Sequence, residues 1–149
     1  MTYPMQIGSG SYEFLPGLSS TLILKNDFRI GGQVNGTFRM DSNKYGYKLG
    51  DSYNVTGWVD KSLDENVSVS ARLDYNKNEA IEGVDNTLMS GMIPTADASL
   101  TDSQRLDVLF GISLPNGLGV EFGLPLYQRV DGPTLETKYR FIVGWLKSF

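Results

Sequence analysis

The sequence predicts an all-β fold, an antiparallel transmembrane β-barrel, in a single domain over residues 1–149. Three observations predict it. Apolar and polar residues alternate with period two from about residue 12 onward. Tight turns and long links succeed one another between the alternating stretches. Aromatic residues (Tyr12, Phe14, Tyr53, Tyr75, Tyr139, Trp145) gather towards the ends of those stretches, as an interfacial belt requires.

Residues 12–24 form a first, weakly alternating strand. Residues 28–40 alternate most clearly: Phe28, Ile30, Gly32, Val34, Gly36, Phe38 and Met40 share one face, with Arg29, Gly31, Gln33, Asn35, Thr37 and Arg39 on the other. A helix would mix the two sets on every side. A weaker strand is expected at 53–62. Residues 67–75 set Val67, Val69, Ala71, Leu73 and Tyr75 against Ser68, Ser70, Arg72 and Asp74. Residues 105–114 set Leu106, Val108, Phe110, Ile112 and Leu114 against Arg105, Asp107 and Ser113. A weaker strand at 118–127 precedes the last, 137–149, where Tyr139, Phe141, Val143, Trp145 and Phe149 oppose Lys138, Arg140 and Ser148.

Lys25-Asn26-Asp27, Asp64-Glu65-Asn66 and Pro115-Asn116-Gly117 read as hairpin turns. Longer links fall near 41–52, 76–104 and 128–136. Short turns at one end and long loops at the other are the organisation of an outer-membrane barrel, with the short turns in the periplasm. About seven strands then place the first residues outside the cell, which implies further strands upstream, since such barrels have even counts. An eighth strand over residues 3–11 would instead give a small closed barrel.

Composition narrows the functions. Hydrophobic residues make up 40% and charged residues 20%, too apolar for a disordered chain. A net charge of −4 with no basic stripe argues against a nucleic-acid partner. Cysteine is absent, which excludes disulfides and thiolate metal sites, and histidine is absent, which removes the commonest general base. No stretch approaches the roughly 20 apolar residues of a membrane helix, and the mean hydropathy of −0.21 is what alternating barrel strands produce. No basic segment followed by an apolar core opens the chain, so no signal peptide is read and a mature form or a fragment is expected.

Residues 3–18, from Tyr3-Pro4-Met5-Gln6 through Glu13-Phe14-Leu15-Pro16-Gly17-Leu18, resemble a segment of a family of bacterial outer-membrane transporters named for the meta-pathway of phenol degradation. Leu49-Gly50-Asp51-Ser52-Tyr53, Met92-Ile93-Pro94-Thr95-Ala96-Asp97, Glu121-Phe122-Gly123-Leu124-Pro125-Leu126-Tyr127-Gln128 and Asp131-Gly132-Pro133-Thr134-Leu135-Glu136-Thr137 are similar to it as well. The resemblance spans essentially the whole chain and implies the C-terminal portion of a barrel of about twelve strands. It implies the outer membrane as location and the barrel-assembly machinery as a partner. Phe149 resembles the terminal aromatic that serves as assembly signal, although Lys147 departs from the apolar residue expected two positions earlier.

Function is expected to be a passive channel or transporter for small solutes through a polar, charged lumen. Arg29, Gln33, Arg39, Arg72, Asp74, Arg105, Asp107, Glu121, Glu136, Lys138 and Arg140 are the candidate lumen residues. Phe28, Val34, Phe38, Val69, Leu73, Phe110, Ile112, Phe122, Phe141 and Trp145 are the candidate lipid-facing ones. The charged set reads equally as ion pairs plugging a narrow interior. The alternative architecture is a soluble lipocalin-like barrel, its apolar face turned inward around a small ligand. An enzyme would have to use paired carboxylates, Asp74 with Asp107 or Glu121 with Glu136, and none is expected. No cofactor or metal is expected: Gly8-Ser9-Gly10-Ser11 lacks the lysine of a phosphate loop, and Glu82, Asp85, Asp97 and Asp102 lack calcium-loop spacing. Asn35-Gly36-Thr37, Asn54-Val55-Thr56 and Asn66-Val67-Ser68 match the glycosylation pattern at the level of chance. The expected partners are the lipid bilayer, a small solute, and a second copy or an upstream segment that closes the free sheet edges.

Overall fold

The structure, a computed structural model, describes residues 10–64, 67–85, 97–132 and 135–146. It is an antiparallel meander. Strands β1 (Glu13–Phe14), β2 (Gly17–Ile23), β3 (Phe28–Arg39), β5 (Ser52–Asp64), β6 (Val67–Asn78), β8 (Ser103–Ser113), β9 (Leu118–Val130) and β10 (Arg140–Trp145) make one sheet of eight strands. β4 (Tyr47–Lys48) and β7 (Glu82–Gly83) form a separate short pair, and a 3₁₀ turn covers Ala98–Thr101. β1 and β2 lie end to end along β3, so the sheet has seven positions across its width. Leu15 and Pro16 separate them, and Pro16 has no N–H to donate to a ladder, although its carbonyl still accepts from the Gly36 amide at 2.9 Å.

Every hairpin joins neighbours in the chain. Asn26 and Asp27 turn the β2–β3 hairpin with φ of 62° and 60°, a left-handed geometry these short polar residues tolerate. Gly117, at φ 79°, turns β8 into β9 beside Pro115 and Asn116. The β5–β6 turn includes Glu65 and Asn66, which lie outside the described residues. These turns share one end of the sheet. The longer connections, from β3 to β5, β6 to β8 and β9 to β10, leave from the other.

The expected strands are present with shifted ends. The weak alternation at 118–127 has a local cause. Leu106 pairs with Tyr127 but Asp107 pairs with Pro125, so Leu126 is an extra residue in a bulge. Proline is tolerated there because the ladder is already interrupted. The last strand is shorter than the expected 137–149. Thr137 gives its amide to Gln128 Oε1 at 3.1 Å instead of to a ladder, and pairing begins only at Arg140.

Closure is where the structure departs from the expected barrel. The sheet runs from β1 and β2 to β10, and these outer strands do not pair with each other among the described residues. It is nevertheless curled. Arg140 on β10 reaches Asp74 on β6 at 3.0 Å. In a flat sheet, three strand spacings would hold their backbones about 14 Å apart, with a register offset added. The contact therefore requires the sheet to be concave on the face that carries both side chains.

The two faces differ in kind. On the convex face, one cross-strand rung reads Ile30, Val59, Ala71, Phe110, Phe122, Phe141. Phe110 is 59% exposed and Phe141 63%. On the concave face, corresponding rungs read Gln33, Thr56, Asp74, Asp107 and Asn35, Asn54, Asn76, Arg105. Among the described residues only Tyr47, Ala98 and Leu109 are buried hydrophobics, far short of a water-soluble core. Tyr47 and Ala98 belong to the long links, where Leu49 and Ile81 pack against them.

Candidate functional site

Alternation places Arg72 and Asp74 of β6, Arg105 and Asp107 of β8, Glu121 of β9 and Arg140 of β10 on the concave face, and curvature brings them together. Arg140 Nη1 lies 3.0 Å from Asp74 Oδ2 and 3.4 Å from Asp107 Oδ2. Arg105 Nε stands 3.0 Å from Asp107 Oδ2. Arg72 Nη2 pairs with Glu121 Oε2. Three arginines thus face three carboxylates, and the cluster carries no net charge.

Asp74 and Asp107 are opposite one another on adjacent strands, an unfavourable arrangement for like charges unless a cation lies between. Arg140 is that cation. Asp74 also accepts from Asn54 Nδ2 and Thr56 Oγ1, each at 2.8 Å. Asn54 Nδ2 lies 3.0 Å from Asn76 Oδ1, and its own Oδ1 accepts from Asn35 Nδ2 at 3.4 Å. Asp107 is 1% exposed and Asp74 7%. Asp107 Oδ1, Arg72 Nε and Arg105 Nε are buried without a hydrogen-bond partner among the described residues.

Beside the cluster a groove of about 600 Å³ is lined by Gln33, Asn54, Thr56, Trp58, Ser70, Arg72, Asp74, Asn76, Arg105, Glu121 and Arg140. Trp58 and Leu109, two apolar side chains on this polar face, each lie against a glycine on the neighbouring strand. A Cβ on Gly31 would collide with the Trp58 ring, and one on Gly123 would approach Leu109 Cγ to 2.8 Å.

The structure therefore gathers six of the expected lumen residues: Arg72, Asp74, Arg105, Asp107, Glu121 and Arg140. Gln33 lines the same groove. Arg29 lies at the short-turn end, paired with Asp60 at 2.7 Å. Arg39 lies at the long-link end, where it bonds Glu13 at 3.1 Å and the Gly50 carbonyl. Glu136 and Lys138 are exposed in the segment ahead of β10, outside the sheet ladder, which starts at Arg140. Glu121 and Glu136 are thus not brought together on the sheet. On the convex face, Val34, Leu73, Phe110, Ile112, Phe122, Phe141 and Trp145 are exposed, while Phe28, Phe38 and Val69 are half-buried. Phe38 makes an edge contact with Tyr53 at 5.6 Å between centroids. Phe149 lies outside the described residues, as do Gly8 and Ser9 of the glycine-serine run.

Asn54, Thr56, Trp58, Ser70 and Asn76 line the groove although none was among the expected lumen residues. Their signal is parity: Asn54, Thr56 and Trp58 share one face of β5, opposite Val55, Gly57 and Val59. The link carboxylates have other roles. Asp97 accepts from the Ser99 hydroxyl and amide, which hold its carboxyl below the ordinary value, and Glu82 lies 3.5 Å from Lys48. Among the described residues no three metal-ligating side chains converge.

The chain matches no family model, no curated protein and no solved structure.

Proposed function

We propose that this chain forms wall of an outer-membrane β-barrel and that small solutes pass along its concave, charged face without chemical change. One observation carries the reading, the inverted distribution of polarity. A water-soluble sheet of this width would turn the rung from Ile30 to Phe141 onto a core, as a lipocalin-like binder does. Here that rung is outside, and ionic groups fill the hollow side. Acyl chains are the solvent that makes such an arrangement favourable, since the middle rungs of the convex face offer them aliphatic and aromatic groups while the arginine–carboxylate cluster turns away. Five of the strands, β3, β5, β6, β8 and β9, have 11–13 residues, enough for the roughly 9–11 that a tilted membrane strand needs. The long links would shape the outer mouth, and assembly machinery would insert the chain.

Reconstitution in planar bilayers tests the passage. Discrete conductance and solute flux are expected from folded protein; a folded sheet that supports neither would reduce the role to binding or structure. Expression without detergent tests the membrane setting. A monodisperse folded monomer in plain buffer would overturn it.

A further inference from the structure

We infer that the groove beside Trp58 is a binding subsite for a neutral, polyhydroxylated ring, that is, a saccharide, and this assignment rests on the transport reading above. The first argument is shape. β5 carries Asn54, Thr56 and Trp58 on the concave face at steps of about 7 Å, so an aromatic platform adjoins two hydrogen-bonding groups. The indole covers Gly31, its partner in register, and the absence of a Cβ there lets the ring settle against the backbone. Its remaining surface lines the groove. A pyranose presents a face of C–H groups to such a ring and hydroxyls around its edge.

The second argument is charge. Each arginine of the groove is already paired with a carboxylate, so an anion or a cation entering it meets no unbalanced partner. Three atoms of these ion pairs, Arg72 Nε, Arg105 Nε and Asp107 Oδ1, are buried without a hydrogen-bond partner among the described residues, and the other unused groups at the groove are neutral. Among the described residues, the Trp58 indole N–H, Asn76 Nδ2, Gln33 Oε1 and the Ser70 hydroxyl take part in no hydrogen bond. That set mixes donors and acceptors, which suits hydroxyls that do both. A volume of about 600 Å³ falls within the range of small-molecule sites.

The sequence contains two tryptophans, Trp58 and Trp145, so Trp145→Phe leaves Trp58 as the sole indole reporter. The folded Trp145→Phe protein in detergent is titrated with maltotriose, with glucose, and separately with sodium benzoate and phenol. A saturable change in Trp58 emission is expected with maltotriose and, more weakly, with glucose. Gln33→Leu and Asn76→Leu, both retaining the reporter, should each weaken it about tenfold, the effect of losing one oriented polar contact. Trp58→Ala, followed by calorimetry, should abolish binding while circular dichroism retains the strand signal. No saturable response to either saccharide, an equal response to phenol or benzoate, or unchanged affinity in both leucine variants would overturn the assignment. Binding is read without a bilayer. Saccharide binding without flux would therefore sink transport alone, and flux without saccharide binding would sink the subsite alone.

Discussion

Replacing Arg140 by leucine removes the cation that separates Asp74 from Asp107. Deleting one partner of a buried ion pair costs about 3–5 kcal/mol, because the remaining charge stays desolvated. Here the loss should be smaller. The Arg140 side chain is 36% exposed, Arg105 remains 3.0 Å from Asp107, and Asn54 and Thr56 keep their bonds to Asp74. A destabilisation of about 2–3 kcal/mol is expected. Equilibrium unfolding in urea from lipid vesicles, followed by tryptophan emission, would show it as a lower midpoint at unchanged slope. Adding Asp74→Asn should recover at least about half of the loss, since the two sites are in contact and couple. In bilayers the single variant leaves one uncompensated carboxylate in the hollow face, so its reversal potential should move towards cation preference. A variant within about 0.5 kcal/mol of the parent would refute the reasoning, because the two carboxylates would then be hydrated rather than held in a buried network.

Further perturbations probe other parts of the molecule. Phe110→Arg, on the middle rung of the convex face, should cost about 2–4 kcal/mol in the vesicle folding equilibrium; a neutral outcome would mean that this rung does not meet lipid. Gly31→Val should displace the Trp58 ring, change its near-ultraviolet dichroism and cost about 1–3 kcal/mol. Gly32→Ala, whose Cβ would lie 3.7 Å from its nearest neighbour, the Thr56 carbonyl, should leave the Trp58 signal intact. The Ser99 hydroxyl and amide hold the Asp97 carboxyl below its ordinary value of 3.8. A lowered carboxyl contributes stability that is present above 3.8 and lost as pH falls through the lower folded value. Protection of the Ser99 amide from exchange should accordingly persist at neutral pH, fade in acid, and be missing in Asp97→Ala.

Much of the sheet was legible because its two faces meet different environments, and that difference is written at every second residue. Arg29 to Arg39 and Phe28 to Met40 sort themselves without any tertiary information. The reading weakened where local order and parity part company. Leu126 adds a residue to β9, and the segment from Leu135 to Tyr139 keeps its alternation while Thr137 bonds to the Gln128 side chain. Trp58 and Leu109 stand on the polar face against the glycines opposite them, a cross-strand relation that no single stretch displays. Asn54, Thr56 and Asn76 had the right parity but no charge to mark them. The pairing of Tyr47–Lys48 with Glu82–Gly83 is two residues long and joins distant links, so periodicity could not reveal it. Curvature is likewise a property of the assembled sheet, visible only when Arg140 meets Asp74 across three strands.

An odd number of positions in a meander makes its two rims co-directional. β2 and β10 run the same way, so any seam that joined them edge to edge would be a parallel one, with slanted hydrogen bonds and slightly less stability per residue than the ladders elsewhere in the sheet. An antiparallel seam demands an odd number of intervening strands, whatever their origin. Ring size is therefore constrained to even totals for every all-antiparallel closure built on this wall.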